Sequence, residues 1–198
     1  TLGTNHVYIL KETGEIVDNC QKRPQRLFEE RELSVDECAG YLQKAINLLK
    51  SQTAASGGSE GTLKVIITVS PIRYAKYGFH GSQLSKATLL LAADKLVKEN
   101  PGVVSYFPAY EIMNDELRDY RFYKEDMLHP SEQAVEYIWE RFRATYFGKA
   151  AEQFLEDWRP IREALGHKPF HPESEEHQKF IARTEEKKRQ FEEKYHLL

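Results

Sequence analysis

The segment that most restricts the fold is LKVIITVSP at residues 63–71, a run rich in β-branched residues that ends at a proline. A continuous apolar run of this length predicts a strand buried on both faces, as in a parallel sheet covered by helices. Helical patterns at 34–50 and 82–100 flank it, and VVSYFPAY at 103–110 predicts another strand. This alternation predicts right-handed crossovers and an α/β fold, a three-layer α/β/α sandwich with a parallel sheet.

Local signals define the ends of several predicted elements. Ser34 and Glu37 form a capping-box pattern at the start of the first helix. The strand within TLGTNHVYIL, residues 1–10, runs into a hairpin-like turn at Thr13 and Gly14. The small and polar residues of 51–62 predict a surface loop. One face of the first helix is expected to carry Cys38, Tyr41, Leu42, Ala45, Ile46 and Leu49.

Composition excludes several classes of protein. The chain has 198 residues, 40% of them hydrophobic and 30% charged, which indicates a globular protein with one sizeable core. The net charge of −3, with both signs mixed, argues against a nucleic-acid partner. No apolar run approaches the roughly 20 residues that span a bilayer, so no membrane partner is expected. The two cysteines, Cys20 and Cys38, favour reduced thiols and a cytoplasmic location.

The last fifty residues differ in character from the rest. The segment 150–165 predicts a helix with a kink at Pro160, and a long charged helix follows a turn. We therefore predict an α/β domain at residues 1–147 and a C-terminal helical extension at residues 148–198 that packs on it.

The candidate chemistry lies beyond the carboxyl ends of the strands, where ligands bind in parallel sheets. Residues 3–6, 70–74 and 108–130 are expected there, and the last of these contains Asp126 and His129. A carboxylate that accepts a hydrogen bond from the Nδ1–H of an imidazole fixes its tautomer and leaves Nε2 free to activate a hydroxyl. The isolated D-x-x-H pattern is also compatible with a purely structural turn.

The sequence resembles a known family in several places. DMLHP at 126–130 resembles the last sequence block of SGNH (GDSL-like) hydrolases, and GTN at 3–5 fits their G-x-N block. Four longer segments are similar to the GSCFA family, a bacterial branch of that superfamily: TVSPIRY, GSQLSKATLLLA, YFPAYEIMNDELRDYRFYKEDMLHP and EYIWERF. The similarity extends over nearly the whole chain.

The resemblance implies a role for each matching residue. His129 would be the general base, Asp126 its orienting partner and Asn5 a donor to the oxyanion. Gly3, in the same block as Asn5, and Arg73 are the candidate substrate-binding residues. Arg73 would bind either a substrate anion or an internal carboxylate. Two departures from the family pattern are Gln21 and Tyr74, which stand where histidines are expected.

The implied activity is that of a serine ester hydrolase acting on a small-molecule or carbohydrate ester without a cofactor. Acyl transfer to a sugar hydroxyl is an alternative use of the same residues, and a non-catalytic binding or assembly module is an alternative of another class. The Gly-Ser-Cys-Phe-Ala segment that names the family is expected to carry the nucleophile, and it does not occur in these residues. We therefore expect a fragment, a truncated SGNH-hydrolase-like domain without its N-terminal strands. An exposed sheet edge, or the C-terminal helix, would then favour a homo-oligomer.

The serines and histidines of the chain offer weaker alternatives. Ser70 follows the predicted buried strand, but it lies before Pro71 and lacks a G-x-S-x-G elbow, so a structural role is expected. His167 and His171 are separated by Pro169 and lack an H-E-x-x-H pattern, so no metal site is predicted. The remaining serines considered are predicted helix caps, Ser34 and Ser131, or loop residues, Ser51, Ser56 and Ser59.

Overall fold

The structure of the chain is a computed structural model of mixed α/β composition. It describes residues 1–18, 20–57, 63–169 and 173–197. The chain forms two compact units, Thr1–Ile138 and Trp139–Leu198.

The first unit begins with a three-stranded antiparallel sheet. Its strands are β1 (His6–Leu10), β2 (Glu15–Val17) and β3 (Phe28–Glu32), in the order β2-β1-β3. The predicted turn at Thr13 and Gly14 joins β1 to β2, and Gly14 adopts a φ of +72°, which glycine tolerates best. The sequence of β3, FEERE, gave no strand signal of its own because charged residues fill it. Pairing along the full length of β1 holds it in place.

A short parallel sheet forms the centre of the unit. It pairs β4 (Val65–Ile67) with β5 (Val104–Tyr106). On the other edge of the β4 segment, Leu2 pairs with Val69 in the parallel sense. The parallel sheet was therefore predicted correctly, at a smaller size than expected. Val69 is fully buried, whereas Ile66 is 36% exposed, so the described residues do not bury this strand on both faces as predicted.

Helix α1 (Val35–Ala55) starts as the sequence predicts. The Ser34 hydroxyl accepts the Glu37 N–H at 3.3 Å, and the Glu37 carboxylate accepts the Ser34 N–H at 2.9 Å. The helix runs further than expected, into the predicted loop at 51–62, of which residues 58–62 lie outside the described residues. Its buried face carries Cys38, Ala39 and Ile46, whereas Tyr41 and Leu49, expected on that face, are 46% and 43% exposed.

Helix α2 (Gly78–Glu99) packs against α1 and the parallel sheet. Leu89, Ala92 and Leu96 are buried in the core cluster, together with residues of α1 and β4. The helix stops at the predicted signal, with Gly102 at a φ of +74° in the turn beyond it. The two helices and the small parallel sheet thus share one apolar core.

The chain after β5 forms short, irregular turns before the next long helix. A short α3 (Ala109–Glu111) continues as a π-helical turn at Ile112–Leu117 and ends at Arg118, whose φ is +50°. Helix α4 (Glu132–Tyr146) follows a loop, and the Ser131 hydroxyl accepts the Ala134 N–H at 3.3 Å as the predicted cap. This loop contains the Asp126 and His129 pair.

The second unit contains a pair of packed helices, α5 (Lys149–Gly166) and α6 (Glu175–Lys194). Pro160 lies inside a continuous α5. The ring of Phe154 contacts that of Phe191 at 4.8 Å between centroids. His171, half of the histidine pair dismissed as a metal site, lies outside the described residues. The predicted packing of residues 148–198 on the first domain stays a prediction.

Candidate functional site

Asp126 and His129 form a hydrogen-bonded pair in the loop before α4. Asp126 Oδ2 lies 2.6 Å from His129 Nδ1. The other oxygen, Oδ1, accepts the backbone N–H of Leu128 at 2.8 Å and that of His129 at 3.0 Å. Met127 adopts a φ of +59°, which closes the turn between the two side chains. One carboxylate thus organises both the backbone of the turn and the ring of the imidazole.

These bonds keep the Asp126 carboxylate ionised. The N–H groups of His129 and Leu128, followed by the His129 side chain, lower the pKa of Asp126 to about 2. An ionised carboxylate accepts a hydrogen bond from Nδ1–H, and a neutral ring held in this way presents the lone pair of Nε2. Both side chains are about half exposed. Within the described chain, no side chain is hydrogen-bonded to Nε2, which leaves it open to a reacting group.

The loop is anchored on both sides of the dyad. The Lys124 N–H donates to the His129 carbonyl at 2.8 Å, and the Ser131 N–H donates to the Phe122 carbonyl at 2.7 Å. The Arg73 N–H donates to the Leu128 carbonyl at 3.1 Å. This last bond ties the dyad to the segment that leaves the carboxyl end of β4.

The Arg73 side chain supports the same loop. Its guanidinium donates to the Met127 carbonyl at 3.3 Å and lies 4.0 Å from the centroid of the Tyr123 ring. Tyr120 and Phe79 also lie under the cation, at 5.3 and 5.7 Å. Arg73 therefore stabilises the turn through a carbonyl and aromatic rings. The sequence-based interpretations, which gave it a substrate anion or an internal carboxylate as partner, did not include this role.

Gly3 follows Leu2, which pairs with Val69, and lies next to the hydroxyl end of the Tyr74 side chain. A β-carbon built at Gly3 would stand 2.5 Å from the Tyr74 hydroxyl oxygen, which explains the requirement for glycine there. The Gly3 carbonyl accepts a hydrogen bond from Lys86 Nζ at 2.5 Å. Gly3 is thus enclosed between the β4 segment and helix α2.

Asn5 is only 4% exposed and is fixed by several hydrogen bonds. Its Nδ2 donates to the Leu33 carbonyl at 2.8 Å, and its backbone N–H donates to the Ser85 hydroxyl at 3.0 Å. Asn5 Oδ1 is buried and has no hydrogen-bond partner among the described residues. Nδ2 carries two hydrogens, and among the described residues Leu33 is the one acceptor bonded to them.

The structure therefore brings the predicted residues together in two groups. Asp126, His129 and Arg73 form one, and Gly3 and Asn5 form the other. Residues 70–74 connect them, because the Ser70 N–H donates to the Leu2 carbonyl at 2.8 Å while Arg73 binds the dyad loop. Both groups follow the carboxyl ends of parallel segments, where the sequence analysis placed the site.

Two cavities lie next to the dyad loop. One, of about 730 Å³, is lined by Asp126 together with charged residues that include Arg121 and Glu132. The other, of about 190 Å³, is lined by Arg73, Arg118 and neighbouring aromatic residues. Both are open to solvent and include charged side chains in their lining, so a polar ligand can reach this side of the loop.

Two family models match the sequence. The model described as the GSCFA family covers residues 1–142, which include Gly3, Asn5 and the dyad. The chain belongs to the GSCFA family. A second model, described as the C-terminal domain of GSCFA domain proteins, covers residues 158–198 of this GSCFA protein. A search of curated proteins and a search of solved structures each give no significant match.

Lys86 is the site residue of this GSCFA protein that sequence reasoning missed. It lies in the helical pattern at 82–100, which gives no sign of its burial or of its contact with Gly3, 83 residues away. In the described ranges, no three His, Cys, Asp or Glu side chains cluster in a way that could hold a metal ion. None of the described helices has the length and apolar composition needed to cross a bilayer.

Proposed function

We propose that this GSCFA protein provides the His–Asp dyad of a serine ester hydrolase of the SGNH (GDSL-like) type. The observation that carries the proposal is the 2.6 Å distance between Asp126 Oδ2 and His129 Nδ1. Two backbone N–H groups help to keep this carboxylate ionised. The same proposal gives the intact protein a three-layer sandwich, in which further strands extend the parallel sheet.

The reaction follows from the arrangement of the dyad. A serine Oγ forms a bond to the acyl carbon, and His129 Nε2 takes the hydroxyl proton as the carbonyl π electrons move to oxygen. Asp126 stabilises the imidazolium that results. The tetrahedral intermediate then expels the alcohol, which leaves with the proton held at Nε2. Water repeats the sequence on the acyl-serine and releases the carboxylic acid.

Asn5 is the proposed donor to the oxyanion. Its second Nδ2 hydrogen would bond to the negative oxygen, while the bond from the first to Leu33 keeps the amide from rotating. A donor that is already ordered requires no rearrangement during the reaction, so its bond is strongest in the transition state.

The nucleophile is proposed to lie outside Thr1–Leu198. Three half-buried or buried serines near the sheet already accept backbone N–H groups. Ser70 accepts from Ile72 at 3.3 Å, and Ser82 accepts from Tyr74 at 3.2 Å. Ser85 accepts from Asn5 at 3.0 Å. No serine among the described residues is hydrogen-bonded to His129.

The proposed substrate is a small-molecule or carbohydrate ester, with acyl transfer to a sugar hydroxyl as the variant reaction. The half-exposed dyad and the open cavity beside it, which is lined by charged side chains, support a hydrophilic ester. No cofactor enters this chemistry.

Labelling with a fluorophosphonate tests the assignment of the nucleophile. The reagent phosphonylates an activated serine Oγ and releases fluoride, so peptide mapping of the labelled full-length protein identifies the residue. We expect one labelled serine outside Thr1–Leu198, and a labelling rate reduced about 100-fold or more in His129→Ala. His80→Ala, which changes an exposed histidine in the same unit, is the control and should label normally. Equal labelling of the wild type and His129→Ala would refute the assignment.

A non-catalytic binding or assembly module is the second candidate. It is favoured by the two backbone bonds that Asp126 accepts, since these stabilise the turn whether or not His129 reacts. This candidate predicts that His129→Ala leaves every ester-hydrolysis and labelling rate unchanged.

A further inference from the structure

Lys86 places a cation in the interior of the first unit. The residue is only 2% exposed, on the face of α2 that packs against the Gly3–Asn5 segment. Its Nζ donates to the Gly3 carbonyl at 2.5 Å and lies 5.2 Å from the centroid of the Tyr74 ring. Burial lowers the pKa of Lys86 to about 8.

The environment of this ammonium group is unusual for a buried lysine. Buried charges are normally paired, because the loss of hydration is costly. In the part of the chain that the structure describes, no carboxylate forms an ion pair with Lys86. A methionine would fill the same space without the cost of losing hydration. The buried charge therefore calls for a stabilising partner, and the hydrogen-bonded partner of Lys86 is the Gly3 carbonyl.

Consecutive residues of α2 hold consecutive residues of the N-terminal segment. Lys86 binds the Gly3 carbonyl, and the Ser85 hydroxyl lies 3.0 Å from the Thr4 hydroxyl and accepts the Asn5 N–H. The His6 N–H in turn donates to the Thr4 hydroxyl at 3.2 Å. The conformation of this segment thus depends on two neighbouring side chains of one helix.

We propose that Lys86 is a positioning residue for the oxyanion-binding segment: its ammonium group holds the Gly3 carbonyl and thereby fixes the turn that presents the Asn5 amide. This inference rests on the proposed function for the role of Asn5. The contact made by Lys86 does not depend on it. A charge-assisted bond is stronger than a neutral one, which accounts for a lysine at this place.

Amide hydrogen exchange in the full-length protein tests the contact directly. The Asn5 N–H donates to the Ser85 hydroxyl of α2 and the His6 N–H to the Thr4 hydroxyl, so both amides report opening of the anchored segment. Lys86→Met keeps the stem and removes the charge, and we expect exchange at these two amides to rise about tenfold. Lys98→Met, an exposed lysine on the same helix, should leave both unchanged. Unchanged exchange in Lys86→Met would overturn the inference.

Kinetics on p-nitrophenyl acetate separate positioning from mere filling of space. We expect Lys86→Met to lower kcat about tenfold with KM nearly unchanged, because a displaced oxyanion donor weakens only the transition state. Lys86→Arg restores a cationic donor. Its Asn5 and His6 amides should exchange more slowly than those of Lys86→Met, and its kcat should be higher. Equal kcat in Lys86→Met and the wild type would overturn the positioning role. If the wild type hydrolyses no ester, the proposed function fails, and the exchange result alone decides whether Lys86 holds the segment.

Discussion

At the scale of single residues, Gly3 and Tyr74 are fitted to one another. A methyl group at position 3 would meet the Tyr74 hydroxyl at 2.5 Å, while the ring carbon behind it stands at an ordinary 3.5 Å. Gly3→Ala should therefore destabilise the protein by about 1–3 kcal/mol through overpacking. Tyr74→Phe removes the clashing oxygen, so the double variant should regain most of that loss in urea unfolding experiments.

The helix glycine Gly40 supplies the control for this pair. A β-carbon there meets nothing within 4 Å, so Gly40→Ala should leave the protein as stable or stabilise it by about 0.5–1 kcal/mol. If Gly3→Ala with Tyr74→Phe were as unstable as Gly3→Ala alone, the close contact would not be the reason for glycine at this position.

The residues of the site differ in how far the sequence reveals them. Asp126 and His129 lie three positions apart, so one turn of backbone joins them and the pattern can be read locally. Asn5 became a candidate only through resemblance to a family, because its bonds to Leu33 and Ser85 span 28 and 80 positions. Lys86 gave no signal at all, since burial of a lysine is a property of the packed structure.

At the scale of elements, the capping box of α1 is the clearest local determinant of a helix end. Ser34→Ala removes the acceptor for the Glu37 N–H, and we expect a loss of about 1 kcal/mol in the free energy of unfolding. Ser51→Ala, in the interior of the same helix, is the matched control. Its hydroxyl donates only to the Leu48 carbonyl, and alanine is the better helix former, so no loss is expected. A similar loss in both variants would contradict the capping role.

Element prediction succeeded where a residue type carries a backbone preference. Ser34 began a helix, Gly14 formed a hairpin turn, and Asn100 with Gly102 ended α2. It failed for β3, whose charged sequence becomes a strand through pairing with β1. It also failed at the end of α1, where small and polar residues predicted a loop but the helix continues to Ala55. In β3, pairing outweighs a weak local preference, whereas the mostly exposed end of α1 contains the good helix formers Gln52, Ala54 and Ala55.

At the scale of the whole molecule, the α/β class follows from the sequence, whereas the layer count does not. A parallel sheet with helix α2 between its strands was predicted from the order of apolar patterns, and the described chain has it. The three-layer sandwich stays a prediction, because the described residues form only a small parallel sheet. Self-association through an exposed sheet edge or the C-terminal helix likewise stays a prediction, because no pattern within one chain identifies a partner surface.

The central claim is that His129 and Asp126 act together as the base of a serine ester hydrolase. The most direct measurement is kcat/KM for p-nitrophenyl acetate with the full-length wild type, His129→Ala and Asp126→Asn, beside the His80→Ala control. We expect the first two variants to lose about 100-fold to 10,000-fold in kcat/KM, since one lacks the base and the other its orienting partner. His80→Ala should match the wild type. If His129→Ala and Asp126→Asn hydrolysed the ester within about twofold of the wild type, far less than removal of a general base costs, the dyad would not be catalytic.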